Sequence, residues 1–342
     1  MRERLMKSTV GKKLDKIFIY KHSCRQYMKI LHLNDQAGVS CVLAKYQKKL
    51  GNDAKVIKVS DDKYGIYEYY HNYVQLVRQD EFIEKSLQEA KHYDIIHVHS
   101  LFGMIFYLRK KYGTSKKIIL HYHGTDIRGI DNFDLRKREY NENLLLLILK
   151  IIKNKKKNKT INRIATHRLA QILSDSVLIS QKDLSIYIKN AKYIPIPIDL
   201  DHFHRDENPN KRKALLFKTE ASNIKKTLET ISNNFNFSAE VHDRISNPIK
   251  YSKMPEFLNQ YEMYVDIRFI KELLLEDLST TALQCLACGL KVITPQLKIS
   301  DTFPPQHNPT QIVDRLLRLY KQKSSLRKQI IINLLNLRSI VK

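Results

Sequence analysis

The chain has 342 residues, enough for two domains of ordinary size, and 43% hydrophobic with 28% charged residues excludes a disordered polymer. Lys and Arg number 60 against 35 Asp and Glu, a formal net charge of +25, which suits a polyanionic partner. Charge alone does not choose among nucleic acid, anionic headgroups and phosphorylated small molecules, and a lysine-solvated surface explains it equally well.

Residues 1–27 are basic and lack the apolar core of a signal peptide, so they read as an extension outside the fold. Residues 28–34 read as a buried strand. A turn at 35–38 leads into helical spacing over 39–50, with Gly51 just past its end. Residues 54–59 give the next strand, and 60–80 are tyrosine-rich and follow no clear period. A helix over 80–91, a strand over 94–99, a helix over 101–112 and a strand over 117–123 come next. Strands alternating with helices imply a parallel sheet with its ligand loops at the carboxyl edge.

Another strand is expected at 176–180. The Ile-Pro-Ile-Pro run that closes 191–197 is stiff and extended, and polar residues continue to 210. The linker is therefore placed at 199–210, between a first domain over 28–198 and a smaller second domain over 211–342. That second domain repeats the pattern, with strands over 214–218, 237–241, 263–268 and 290–295. Its helices are expected at 223–232, 254–261 and 279–288, and two more, at 309–322 and 325–339, end the sequence.

The cysteines are Cys24, Cys41, Cys285 and Cys288. Cys285 and Cys288 have half the spacing of a zinc site, but no second pair exists, so they read as thiols buried beside a helix. No disulfide framework is suggested, which fits a reducing, cytoplasmic setting. No run approaches the ~20 apolar residues of a membrane span. The apolar stretch 144–152 already contains Lys150 and passes into Lys153, Lys155, Lys156, Lys157 and Lys159. It reads as a helix with a solvated lysine end or as a peripheral docking element for an anionic membrane surface.

Four places carry polar chemistry. The loop Asn34-Asp35-Gln36-Ala37-Gly38 joins a strand to a helix, where free N–H groups suit an anion, but it lacks the spaced glycines of a dinucleotide site. His121, His123, Asp126 and Arg128 cluster at a strand's carboxyl end beside Gly124, a pattern that favours a site. Asp199 and Asp201 read as turn chemistry rather than as metal ligands. Finally, Glu276 precedes a helix start at Ser279, Thr280 and Thr281, where hydroxyls and N–H groups suit a diphosphate. Gln284 follows about two turns further on.

Together these pieces resemble the retaining glycosyltransferases of family four. The matching segments are 28–32, 93–99, 123–126, 193–199 and 282–293, in the family's order. The resemblance implies a GT-B fold, two Rossmann-like α/β domains facing a central cleft. It implies metal-independent transfer from a nucleotide-diphosphate sugar, used as co-substrate with no other cofactor, to a glycan or lipid-linked acceptor. His123 and Glu276 take the catalytic positions, with His123 at the sugar's 6-hydroxyl. Gly38, Lys218, Lys225, Ser279, Thr280 and Gln284 fall on the donor side, and Asp126 and Arg128 on the acceptor side. The family has a second Glu where Gln284 stands, and losing a charge-assisted hydrogen bond costs about 1.5–3 kcal/mol. That departure keeps a second reading alive, a transferase-like protein that binds sugar nucleotide or glycan and turns over poorly. A nucleic-acid module has only the charge in its favour and none of the usual motifs.

Overall fold

The computed structural model describes residues 27–128, 159–188, 190–206, 212–218, 223–270 and 273–322. The extension over 1–26, the apolar run at 144–152 and the helix expected at 325–339 lie outside the described residues.

The first sheet has seven strands, β1 (Lys29–Leu33), β2 (Asp53–Val59), β3 (Val74–Val77), β4 (Ile95–His99), β5 (Lys117–Tyr122), β6 (Ser176–Ile179) and β7 (Lys192–Tyr193). Their order is β3-β2-β1-β4-β5-β6-β7, and every pairing is parallel. Among the described residues six α-helices accompany it: α1 (Val39–Lys49), α2 (Ile66–Tyr69), α3 (Phe82–Glu89), α4 (Met104–Tyr112), α5 (Thr125–Arg128) and α6 (Lys159–Leu173). Both faces are covered, which is why the strands read as nearly continuous apolar runs. Ile30, Ile95, Ile119 and Leu178 enter one core, and Leu31, Leu33, Ile96, Val98 and Leu120 enter the other. Strand order reverses between β1 and β4, and in such sheets that switch point is where ligands bind.

The second sheet is built from β8 (Arg212–Lys218), β9 (Glu240–Asp243), β10 (Tyr261–Val265), β13 (Lys291–Ile293) and β14 (Ile299–Ser300), in the order β14-β13-β10-β8-β9. All pair in parallel except β14, which runs antiparallel to β13. A separate hairpin joins β11 (Phe269–Ile270) to β12 (Leu273–Leu274). The helices here are α7 (Ile224–Asn234), α8 (Met254–Leu258), α9 (Thr280–Ala287) and α10 (Pro309–Lys321).

One apolar cluster runs through both halves, from Ile30 and Leu43 to Phe217, Tyr264 and Leu316. The polar junction is equally continuous. The Asp199 carboxylate is fully buried and accepts from Lys45 Nζ at 2.8 Å, from the Tyr70 hydroxyl at 2.8 Å and from the Tyr46 hydroxyl at 3.3 Å. Tyr70 in turn meets the Tyr251 hydroxyl at 3.0 Å, and Tyr251 N donates to Tyr64 O at 2.7 Å. Asp201 pairs with Lys45 at 2.9 Å and with Lys49. The Asp199-x-Asp201 pair thus anchors the strand-to-linker turn onto α1.

Helix α10 lies in the second half of the sequence, yet it packs on α1. Lys117 Nζ, at the start of β5, donates to the carbonyls of Leu319 at 3.1 Å and Tyr320 at 2.7 Å and also to that of Gln322. A lysine at a helix's carboxyl end satisfies carbonyls that the helix itself leaves free.

Candidate functional site

Loops from the carboxyl ends of both sheets line one cleft. Its first wall is the loop after β1. Asp35 turns its carboxylate onto the start of α1 and accepts from Gly38 N at 2.7 Å and Ser40 N at 2.6 Å. The helix-start amides expected to face an anion are therefore already met by Asp35. Burial pushes the Asp35 carboxyl up, and those same bonds pull it back down. Asn34, Ala37 and Gly38 all have left-handed backbones, at φ 70°, 54° and 85°. Only glycine adopts that conformation freely, so Asn34 and Ala37 hold strain beside the cleft, a pattern typical of functional loops.

The second wall is the start of α9. Ser279 caps the helix, its Oγ accepting from Ala282 N at 2.9 Å. Ser279 N donates to Asp266 Oδ2 at 2.8 Å, and Asp266 Oδ1 lies 3.0 Å from Arg268 Nε. Asp266 is fully buried. Burial raises its carboxyl, and Arg268 with Ser279 lowers it.

Arg244 joins the two walls. It follows β9, and its guanidinium carbon stands 5.0 Å from the ring centroids of both Phe217 and Tyr64, the latter from the first half of the chain. Its Nε has no hydrogen-bond partner among the described residues. A cavity of about 630 Å³ is lined by Asp35, Ala37, Lys58, Lys63, Tyr64, Tyr67 and Arg244, among others. A smaller one of about 70 Å³ joins Ala37, Tyr64, Arg244 and Tyr251 to Thr280, Thr281 and Gln284.

No protein-family model matches the chain, and no curated protein matches it in sequence. Solved structures do match in shape. HepE of Anabaena, in complex with UDP, superposes with a TM-score of 0.50 at 12% identity, over 90% of this chain and 95% of that one. An α-glucosyltransferase in complex with UDP and a 13-mer DNA superposes with a TM-score of 0.46 at 10% identity, over 89% of this chain and 93% of that one. Two parallel-sheet domains meeting at a cleft are common to this chain and to HepE.

The fold is GT-B.

Around the GT-B cleft the expected residues stand in different places. Thr280 and Gln284 line the small cavity with Arg244 and Ala37, and Gly38 follows Ala37 as the cap of α1 without lining it. Ser279 stands at the same helix start, with its hydroxyl engaged in the cap. Lys218 ends β8 and pairs with Asp243 at 2.7 Å. Glu276 is exposed, and its carbonyl accepts from Gln296 Nε2 at 3.1 Å. Its neighbour Asp277 accepts from Lys182 N at 2.7 Å, clasping the two domains. Lys225 stands apart, 88% exposed on α7 and 4.0 Å from Glu229. The Arg128 side chain lies outside the described residues. Asp126 folds back on its own turn, accepting from His123 N at 3.0 Å and Gly124 N at 2.8 Å.

His123 is the end of a larger group. His32 pairs in register with His97, and His99 with His121. Parallel partners point to one face and side chains alternate along a strand, so His32, His97, His99, His121, His123 and Ser180 share a face. His99 Nδ1 lies 2.9 Å from His123 Nε2, and His99 Nε2 lies 3.0 Å from His32 Nδ1. Ser180 Oγ lies 2.8 Å from His123 Nδ1 and 2.9 Å from His121 Nε2. His121 Nδ1 lies 3.2 Å from His97 Nε2. Burial lowers all five imidazoles, His32 and His123 to about 4, and neighbouring histidines depress His97, His99 and His121 further. All five are therefore neutral at pH 7.

Two functional features escaped the sequence reading. Arg244 is a lone arginine after an edge strand, with no local signal. The histidine face did have one: histidines two apart, or at the same position, near the carboxyl ends of three expected strands.

Proposed function

We propose that this chain is a glycosyltransferase that moves a sugar from a nucleotide-diphosphate sugar to a glycan or lipid-linked acceptor, with retention of configuration and without a metal. The observation that carries the reading is the convergence of Arg244 and the α9 start, with Thr280, Thr281 and Gln284, on the strained loop after β1 in one cleft. The HepE likeness supplies the fold, and that protein holds UDP.

In this reading the diphosphate lies at the α9 start, where N–H groups and hydroxyls face negative charge. Arg244 meets it from the other side, and Lys218 stands at the same sheet edge. The glycosyl–phosphate bond breaks with oxocarbenium character as charge grows on the phosphate oxygen, and these fixed dipoles and cations stabilise that charge. The acceptor oxygen bonds to the anomeric carbon from the same face, and its proton passes to the leaving phosphate. His123 Nδ1 would exchange its Ser180 contact for a sugar hydroxyl. Glu276 takes donor-sugar hydroxyls once the domains close.

Gln284 favours the second reading, a protein that binds donor and turns over poorly. A carboxamide offers one acceptor oxygen where a carboxylate offers two. Thermal-shift measurement against UDP, GDP and their sugars tests both readings, since a ligand of the folded state raises the melting temperature. Stabilisation by a sugar nucleotide together with transfer or donor hydrolysis supports the enzyme. Stabilisation without turnover, and turnover restored by Gln284→Glu, supports the binder. Indifference to every nucleotide, with tight and steeply salt-dependent binding of oligonucleotides, would sink both.

A further inference from the structure

We propose that the five histidines, with Ser180, Tyr320 and Gln47, form one continuous circuit of hydrogen bonds, anchored at Gln47 and ending at Tyr320, that fixes the tautomer of His123, which makes Gln47 and Tyr320 positioning residues for the donor site. Only the link to the donor rests on the glycosyltransferase reading; the circuit stands on geometry.

All ten imidazole nitrogens of the group have a partner. Beyond the contacts already given, His32 Nε2 lies 2.8 Å from Gln47 Oε1 and His97 Nδ1 lies 2.7 Å from the Tyr320 hydroxyl. Gln47 Nε2 is buried and makes no hydrogen bond among the described residues. The path therefore runs Gln47, His32, His99, His123, Ser180, His121, His97 and Tyr320, and ends there. Gln47 comes from α1 and Tyr320 from α10, the two helices that cover this face.

A neutral imidazole has one N–H and one lone pair. With Gln47 Oε1 accepting from His32 Nε2–H, His32 Nδ1 is an acceptor, and its proton must come from His99 Nε2–H. The same step repeats at His123, passes through the Ser180 hydroxyl, and repeats at His121 and His97. Tyr320 then donates to His97 Nδ1. All five rings carry the proton on Nε2. Running the circuit the other way puts all five protons on Nδ1. Any mixture sets two lone pairs or two protons face to face, which is costly in a buried site.

Ser180 and Tyr320 transmit either direction, because a hydroxyl both donates and accepts. Gln47 is the member whose ends differ, so its orientation selects the direction. As it stands, His123 Nδ1 is a lone-pair acceptor aimed at a hydroxyl, now that of Ser180. A donor sugar hydroxyl would be received by the same lone pair.

A metal site is the competing account of clustered imidazoles, since His99, His121 and His123 bring ligand atoms within 4.8 Å of one another. A tetrahedral zinc at about 2.0–2.1 Å would hold its nitrogens roughly 3.3 Å or more apart. His99 and His123 approach to 2.9 Å, a hydrogen-bond separation.

The test is long-range proton–nitrogen NMR on the full chain with ¹⁵N-labelled histidine at pH 7, which needs no substrate. All five histidines, four buried and His123 half-buried, are expected in a single Nε2–H tautomer. Gln47→Glu keeps an acceptor opposite His32 Nε2, so the Nε2–H tautomer should persist, whereas Gln47→Leu removes that acceptor and should give mixed tautomers. Tyr320→Phe removes one link, and mixed tautomers should appear at His97 and His121, with a several-fold fall in kcat/KM for the donor. The wild-type spectrum decides even where a variant fails to fold. Mixed tautomers in the wild type, Gln47→Leu with all five rings still Nε2–H, or one equivalent of zinc whose removal shifts these signals would each overturn the proposal. Uniform tautomers without sugar transfer would leave the circuit standing and end the glycosyltransferase reading instead.

Discussion

The two edges that face the cleft are organised in opposite ways. On the first sheet, polar groups at the strand ends are buried, neutral and engaged with one another, from His32 to Ser180. On the second, the polar groups are charged and partly exposed, with Arg244 lying between two rings and Lys218 held by a single carboxylate. A satisfied network stiffens and shapes a wall, whereas loosely held cations keep their capacity for an incoming anion. Changes to the first edge should therefore cost stability, and changes to the second should cost binding.

The largest effect is expected at the junction that braces the stiff side. Asp199→Ala removes a buried carboxylate that serves Lys45, Tyr46 and Tyr70. Urea unfolding should show a loss of about 3 kcal/mol, the lower end of the range for a broken buried pair. It is the lower end because Asp201 still meets Lys45 at 2.9 Å. An unchanged midpoint would contradict the claim that this side is built for rigidity.

Acid should act on the same edge. The five histidines have folded pKa values below the ordinary value of about 6.5, so unfolding takes up protons below that pH. Their contribution to stability is complete above pH about 6.5 and is lost as pH falls towards about 4, where His32 and His123 titrate in the folded chain. Asp35 and Asp266, raised by burial, act with the opposite sign, two against five. Melting temperature should fall steadily between pH 6.5 and 5, and a flat profile would show that the imidazoles are not buried neutral.

On the loose edge the effect should be on ligand alone. Arg244→Ala should weaken nucleotide-diphosphate binding by roughly 10- to 150-fold, the equivalent of about 1.5–3 kcal/mol, with little change in melting temperature. Calorimetry with UDP and GDP reads this directly, and a large drop in stability with unaltered affinity would reverse the roles of the two edges. The smallest effect is expected at Lys225, which stands 88% exposed. Lys225→Ala should change stability by no more than about 0.5 kcal/mol and leave nucleotide affinity as it was.

Most of the first sheet is legible in the sequence because its central strands are buried on both faces. β1, β4 and β5 are short apolar runs broken only by lysine and histidine, and β2 carries Ala54, Val56, Ile57 and Val59 among charged residues. Edge strands are harder to see. β3 lies in the tyrosine-rich segment, and β9 covers Glu240–Asp243 rather than the more apolar 237–241. Its position is set by pairing with β8, Leu215 opposite Glu240, and not by its own hydrophobicity. The short β11–β12 hairpin and β14 carry no periodicity long enough to read. At the site, Thr280 and Gln284 were visible because helix capping is local chemistry. Arg244 was not, because Tyr64 and Phe217 reach it only through the folded chain. The histidine spacing was in plain sight, but its end contacts with Gln47 and Tyr320 depend on two helices far apart in sequence.

That last contact has a consequence for synthesis. Tyr320 follows His97 by 223 residues. At about 5–20 residues per second, a ribosome needs roughly 10–45 s to make that interval. Until it ends, the growing row of histidines in the nascent first domain has α1 over it but lacks α10, and that side stays wet and free to take up protons. The part of the molecule begun first is thus completed late, and a chaperone that shields this face would have its work in that interval.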